Sequence, residues 1–141
     1  MTEFKIIPFT GAGEIEFGMS PNQIRRRLGT NFRTFKRSIR DTFPCDYFEN
    51  IGVFCYYSKS GKLNAVEFTS PAAPSLNGVR FLGTGFEIAK RALISLGQEI
   101  EEEIDGAIAL SLGVSIYAPL AKEDSMAPVE TVLIFQKGYY Q

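Results

Sequence analysis

The chain has 141 residues, a length typical of one domain, and its 45% apolar and 22% charged residues argue against bulk disorder. Fifteen Lys and Arg against sixteen Asp and Glu leave a net charge of −1, which argues against a polybasic nucleic-acid coat protein or membrane anchor. The absence of histidine excludes Ser-His or Cys-His dyads and imidazole metal sites.

The N-terminal segment and the two cysteines indicate a reducing compartment. Residues 1–17 lack the apolar run and cleavage site of a signal peptide, and no 18-residue apolar window predicts a membrane span. We therefore expect a cytoplasmic protein without a membrane partner. Cys45 and Cys55 are spaced for neither a Cys-x-x-Cys redox motif nor a zinc site, so we expect two free thiols and neither metal nor cofactor.

The first predicted element is a short helix that begins after Ser20. Ser20, Pro21 and Gln23 form the pattern of a capping box with proline in the first helical turn. Ile24 and Leu28 share one face of this helix, and Gly29 is expected to end it in the left-handed conformation.

The middle of the chain predicts a β-hairpin. Residues 30–44 fit either a helix or a strand. Residues 51–57 predict a strand that is apolar on both faces, and residues 63–68 predict the returning strand after a glycine-containing turn.

The second half repeats this order after a connector at residues 69–78. The pattern predicts a short strand at 79–82, a helix at 86–104 with a possible interruption at Gly97, a strand at 107–118, a polar loop, a strand at 130–136 and an exposed tail. The predicted fold is α+β, with an antiparallel sheet of five or six strands and two helices on one face. The chain is expected to form a single domain over residues 1–141. Residues 14–70 and 79–137 fit the two units of a tandem αβ repeat, although hairpin strands of similar composition give the same pattern.

A basic cluster at residues 25–40 is the first candidate site. It holds seven of the fifteen cations, and Phe32 and Phe35 lie among them. This pattern is compatible with a solvated surface, with an acidic protein partner, or with a nucleic acid held by phosphate contacts and stacking. The residues predicted to bind an acidic partner surface are Arg26, Arg33, Arg37 and Arg40.

An acidic cluster at residues 99–105 is the second candidate site. Helical spacing would place Glu99, Glu102 and Glu103 near each other, and Asp105 extends the cluster. Such a face could attract a basic partner such as a nuclease, although an ordinary exposed helix end has the same pattern.

Charge is also divided along the chain. Residues 1–62 carry ten basic and six acidic groups, a net charge of +4, whereas residues 63–141 carry a net charge of −5. We therefore expect a dipolar molecule with two usable surfaces.

Two resemblances bear on function. Residues 18–29, GMSPNQIRRRLG, resemble the entry to the αβ modules of outer-membrane assembly lipoproteins and of the beta-lactamase inhibitor protein. The segments GVFCYY, GKL, AVEF and the terminal KGYY resemble cytosolic immunity proteins of bacterial polymorphic toxin and contact-dependent inhibition systems. This resemblance implies a non-catalytic protein that neutralises a cognate toxin domain. A nucleic-acid-binding module is the alternative, and an enzyme is the least supported, because no catalytic constellation is visible.

Overall fold

The computed structural model describes residues 4–140, and it contains two helices and three antiparallel sheets. Residues 1–3 of the N-terminal segment and Gln141 of the predicted tail lie outside the described residues. The first half contains β1 (Ile6–Ile7), β2 (Gly11–Ala12), β3 (Ile15–Glu16), α1 (Pro21–Leu28), β4 (Arg33–Phe35), β5 (Cys45–Phe48), β6 (Val53–Tyr57) and β7 (Leu63–Phe68). The second contains β8 (Ser75–Leu76), β9 (Val79–Arg80), α2 (Phe86–Gly97), β10 (Glu101–Glu102), β11 (Gly106–Ala109), β12 (Val114–Tyr117) and β13 (Thr131–Phe135).

The main sheet has eight strands in the order β10-β11-β12-β13-β7-β6-β5-β4, so the predicted five or six strands were too few. Each half contributes a helix followed by four consecutive antiparallel strands, and the last strands of the two halves, β7 and β13, pair at the centre. The division of the chain into repeat units 14–70 and 79–137 stays a prediction.

Helix α1 begins as the sequence predicts. The Gln23 backbone N–H donates to Ser20 Oγ at 3.3 Å, and the Ser20 N–H donates to Gln23 Oε1 at 2.9 Å. Ile24 is fully buried and anchors the helix. The helix ends at Gly29, but with φ 107° and ψ −177°, so the left-handed conformation expected there was wrong.

Helix α2 ends at Gly97, so the predicted helix over 86–104 is too long. Gly97 packs closely against Ala109 and Leu112, where a side chain would be crowded. Gln98 then turns the chain with φ 68° and ψ −57°, and the Glu99 N–H donates to the Gly97 carbonyl at 2.8 Å. Residues 101–102 therefore form the edge strand β10, not a helical turn.

Two other predicted elements also differ in detail. Residues 30–44, left open between helix and strand, contain only the three-residue strand β4. The single strand predicted over 107–118 is a hairpin, β11 and β12, because Gly113 turns the chain with φ 67°. The hairpin of β6 and β7 is confirmed.

One face of the main sheet forms the core. Val66, Val114 and Ile134 point to this face and share one buried cluster with Ile24 of α1 and Leu93 of α2. The N-terminal strands add to the same side, where the Phe4 and Phe68 rings lie 5.0 Å apart. Neither helix within residues 4–140 is long and apolar enough to cross a membrane.

Candidate protein-binding face

The opposite face of the main sheet carries a continuous row of side chains, one from each of its eight strands. We call this surface the open face and this set the cross-sheet row. Strand pairing places its members directly opposite one another in the order Arg33, Tyr47, Phe54, Glu67, Leu133, Ser115, Ile108 and Glu101. The two end residues are exposed and the six between them are half-buried, so the row remains accessible across the whole sheet.

Aromatic rings occupy the β4–β6 half of the open face. The Tyr47 and Phe54 rings stack with centroids 4.0 Å apart and planes 11° apart, and Phe35 contacts Phe54 edge-on at 6.1 Å. The guanidinium of Arg33 lies over the Tyr47 ring at 5.9 Å. Such rings are held rigidly by their neighbours, so they lose little conformational freedom when a partner covers them.

A carboxylate lies in the centre of the cross-sheet row. Glu67 is flanked by Phe54 on one side and Leu133 on the other. The Tyr56 hydroxyl donates to Glu67 Oε1 at 2.5 Å. Burial and this hydrogen bond both raise the pKa of Tyr56, so its phenol remains a donor at neutral pH.

The C-terminal segment covers one end of the open face. Tyr139 and Tyr140 pack against Phe135, with ring centroids 5.8 and 4.9 Å away. The predicted exposed tail is therefore partly wrong, because Tyr139 is half-buried. Arg37 lies 4.0 Å above the Tyr56 ring and donates to the Tyr139 hydroxyl at 3.4 Å, so it closes this end of the surface.

The sequence-predicted basic residues divide between surfaces. Arg33 and Arg37 both reach the open face, where their guanidinium groups lie over the rings of Tyr47 and Tyr56. Arg26 is exposed on α1, and Arg40 lies in an exposed turn after β4. The structure therefore brings two of the four predicted residues to one aromatic surface.

Arg25 and Phe32 of the basic cluster make contacts within the protein that stabilise its fold. Arg25 donates two hydrogen bonds to the fully buried carboxylate of Asp46, from Nε at 3.0 Å and from a terminal nitrogen at 2.8 Å. The Tyr57 hydroxyl donates a third, at 2.7 Å. The Arg25 guanidinium also covers the Phe32 ring at 4.4 Å, so that ring is partly occupied.

The acidic residues do not share a helix face, contrary to the helical expectation. Glu102 pairs with Ala107 across the sheet, so it points to the helix side and forms an ion pair with Lys90 at 3.2 Å. Asp105 lies 3.9 Å from Lys122. Glu99 and Glu103 are exposed in the turns on either side of β10. Strand alternation thus separates groups that a helix would have placed together.

Glu101, which was not among the predicted contacts, is the acidic-cluster residue in the cross-sheet row. Sequence reasoning also missed Tyr47, Phe54, Glu67 and Leu133. One feature of the sequence could have indicated this surface. Residues 51–57 are apolar on both faces, and the helices can cover only one face of a strand, so apolar side chains remain on the other.

Cys45 and Cys55 are free and buried, and burial raises both thiol pKa values, so neither is poised as a thiolate nucleophile. Within residues 4–140, no group of three or more Cys, Asp or Glu is placed to hold a metal ion. Comparison of the chain with protein-family models, with curated proteins and with solved structures finds no match.

Proposed function

We propose that this chain is a non-catalytic inhibitor that binds one partner protein through the open face of its eight-stranded sheet. The partner class that we favour is the toxin domain of a bacterial toxin–immunity pair, a nuclease being one candidate. In that role the protein acts in the cytoplasm and occludes the active site of the toxin or a surface beside it.

The cross-sheet row is the observation that carries the proposal. Seven strand spacings of about 4.8 Å give it a length of about 34 Å. A standard interface covers about 800 Å² on each partner, which corresponds to a patch about 32 Å across. Tyrosine, phenylalanine and arginine, all present in the row, are enriched at such interfaces.

The test is a binding measurement with the product of the adjacent upstream gene, co-expressed with this chain. We expect a stoichiometric complex and rescue of cells from the toxicity of the neighbour. In calorimetry, Phe54→Ala should weaken the complex at least 30-fold, because a central aromatic anchor contributes about 2 kcal/mol or more.

Ile88→Ala is the matched control for Phe54→Ala. Ile88 is also apolar and is 56% exposed, but it lies on α2, on the opposite side of the sheet. We expect it to change the affinity less than twofold. Equal effects of the two substitutions, or tight binding without Phe54, would contradict the assignment of the open face.

The charge clusters give a competing prediction within the same experiment. If the acidic edge is the contact, as the sequence suggests, charge reversal at Glu102 and Glu103 will weaken the complex by more than about 2 kcal/mol. The nucleic-acid alternative predicts salt-dependent binding of a labelled oligonucleotide, weakened by charge reversal at Arg26 and Arg40. If the oligonucleotide does not bind at low salt, the nucleic-acid alternative is excluded.

A further inference from the structure

Glu67 is the only charged member of the cross-sheet row that lies inside it rather than at an end. Its neighbours across the strands are Phe54 and Leu133, and its side chain is half-buried. A partner lying on the open face must therefore cover this carboxylate together with the apolar groups beside it.

The carboxylate has a fixed donor but no cation of its own. Tyr56 donates to Oε1 at 2.5 Å, and no Lys or Arg of residues 4–140 comes within 4.0 Å of the Glu67 carboxylate. Arg37, on the same face, is held instead by the Tyr56 ring and the Tyr139 hydroxyl. Glu67 therefore keeps acceptor positions that water fills while the protein is free.

A covered carboxylate needs a compensating charge. Loss of water from an ionised group is strongly unfavourable unless a cation or several donors replace it. Apolar contacts to Phe54 and Leu133 alone would leave Glu67 desolvated and unpaired, so a purely apolar partner surface fits the row poorly.

We infer that the partner places an arginine side chain on Glu67, between the Phe54 and Leu133 side chains. This inference rests on the proposed function and specifies the chemistry of the partner at the centre of its interface. Arginine fits better than lysine, because a guanidinium can bind the carboxylate with two parallel hydrogen bonds while its flat surface stacks on an aromatic ring. Arg33 in the same row already has its guanidinium carbon over the Tyr47 ring, 5.9 Å from the ring centroid.

The inference can be tested before the natural partner is known. A random-peptide phage library is selected on the wild-type protein, and the enriched peptides are synthesised and their affinities measured. Peptides that lose at least tenfold in affinity for Phe54→Ala define the set that binds the open face. Each is then measured against Glu67→Gln, with Glu123→Gln, an exposed residue outside the main sheet, as the charge-matched control.

We expect the peptides of this set to contain an arginine beside apolar residues and to lose at least tenfold in affinity for Glu67→Gln but not for Glu123→Gln. Replacing that arginine by citrulline, which keeps the shape but not the charge, should weaken binding to the wild type and have little effect on binding to Glu67→Gln. Citrulline losses of equal size in the two proteins would show that the arginine does not meet Glu67 and would overturn the inference.

The remaining outcomes separate this inference from the proposed function. Face-binding peptides that lack a basic residue, or that tolerate Glu67→Gln, overturn the arginine inference and leave the open face as the binding surface. A selection in which no enriched peptide depends on Phe54 overturns the arginine inference, and the proposed function is then decided separately by the Phe54→Ala measurement with the product of the upstream gene.

Discussion

Replacement of the buried carboxylate of Asp46 should be among the most destabilising isosteric changes in this chain. Asp46 is fully buried and accepts three hydrogen bonds, two from Arg25 and one from Tyr57. In Asp46→Asn the side chain keeps its size, but one acceptor becomes an amide donor that faces a donor of Arg25 or Tyr57. The ion pair is lost, and at least one buried polar group is left without a partner.

The expected loss is about 3 kcal/mol. Removal of one member of a buried ion pair costs about 3–5 kcal/mol. The lower end applies here, because the Arg25 side chain is 30% exposed and can regain water when Asp46 is neutralised. With an unfolding entropy of about 2.1 cal/mol/K per residue, this loss lowers Tm by about 10 °C.

Urea denaturation at pH 7 measures the effect, with Glu49→Gln as the control. Glu49 forms an ion pair of similar length with Arg33, at 3.0 Å, but both side chains are at least 60% exposed, so its loss should cost under about 0.5 kcal/mol. A double-mutant cycle with Arg25→Gln should give a coupling above about 1.5 kcal/mol. A loss below about 1 kcal/mol for Asp46→Asn, or no coupling, would refute the reasoning.

Three further changes test other parts of the fold. Tyr56 and Tyr57 have pKa values raised above 10.0, mainly by burial, so stability is retained below pH 10 and falls as the unfolded chain loses its phenol protons above it. Urea denaturation at pH values from 10 to 11.5 gives the slope of the unfolding free energy against pH. Tyr57→Phe should make this slope less steep by about 1.4 kcal/mol per pH unit. An unchanged slope contradicts the burial argument. Gly52→Ala should lower the free energy of unfolding by about 2 kcal/mol more than Gly78→Ala. Both glycines have positive φ, but only at Gly52 would a Cβ collide with a backbone carbonyl. Equal losses of stability in the two variants would disprove the collision. Gln98→Gly should raise stability by about 1 kcal/mol, since Gln98 has φ 68° at the end of α2, and a lower thermal midpoint would disprove that strain.

Elements determined by local interactions could be predicted from the sequence. The cap of α1 depends on Ser20 and Gln23, three residues apart, and its pattern was sufficient to place the helix start. The hairpin of β6 and β7 was predicted for the same reason, because its turn and its two apolar segments are adjacent in the chain.

Elements that depend on distant partners were missed. Strands β4 and β10 have three and two residues, and each is a strand only because β5 or β11 offers hydrogen-bonding groups beside it. The helical spacing of Leu96, Ile100 and Ile104 continues past Gly97, but packing of Gly97 on the following hairpin ends the helix there. A periodicity within one segment contains no information about that contact.

The sites predicted from the sequence were clusters of charged residues, whereas the open face is defined by the order and pairing of the strands. A strand that is apolar on both faces, such as β6, does not reveal which face the helices will cover. That choice depends on the burial of Ile24 and Leu93 against one side of the sheet, after which Tyr47 and Phe54 are left on the other. The sequence contained the residues of the site but not the pairing that aligns them.

The pairing of β7 with β13 joins the basic first half of the chain to the acidic second half within one row of the open face. Glu67 lies directly opposite Leu133, and a slip of one residue would turn Leu133 towards the helices and interrupt the row. With this register, the basic first half ends at Arg33 on one edge and the acidic second half ends at Glu101 on the other. The proposed partner, lying along the row, would therefore meet Arg33, which is paired with Glu49, at one end and the Glu101 carboxylate at the other. If the proposed partner carries an acidic group for Arg33 and a basic group for Glu101, the reversed orientation would bring like charges together at both ends, so we expect the order of strands to favour one direction of binding.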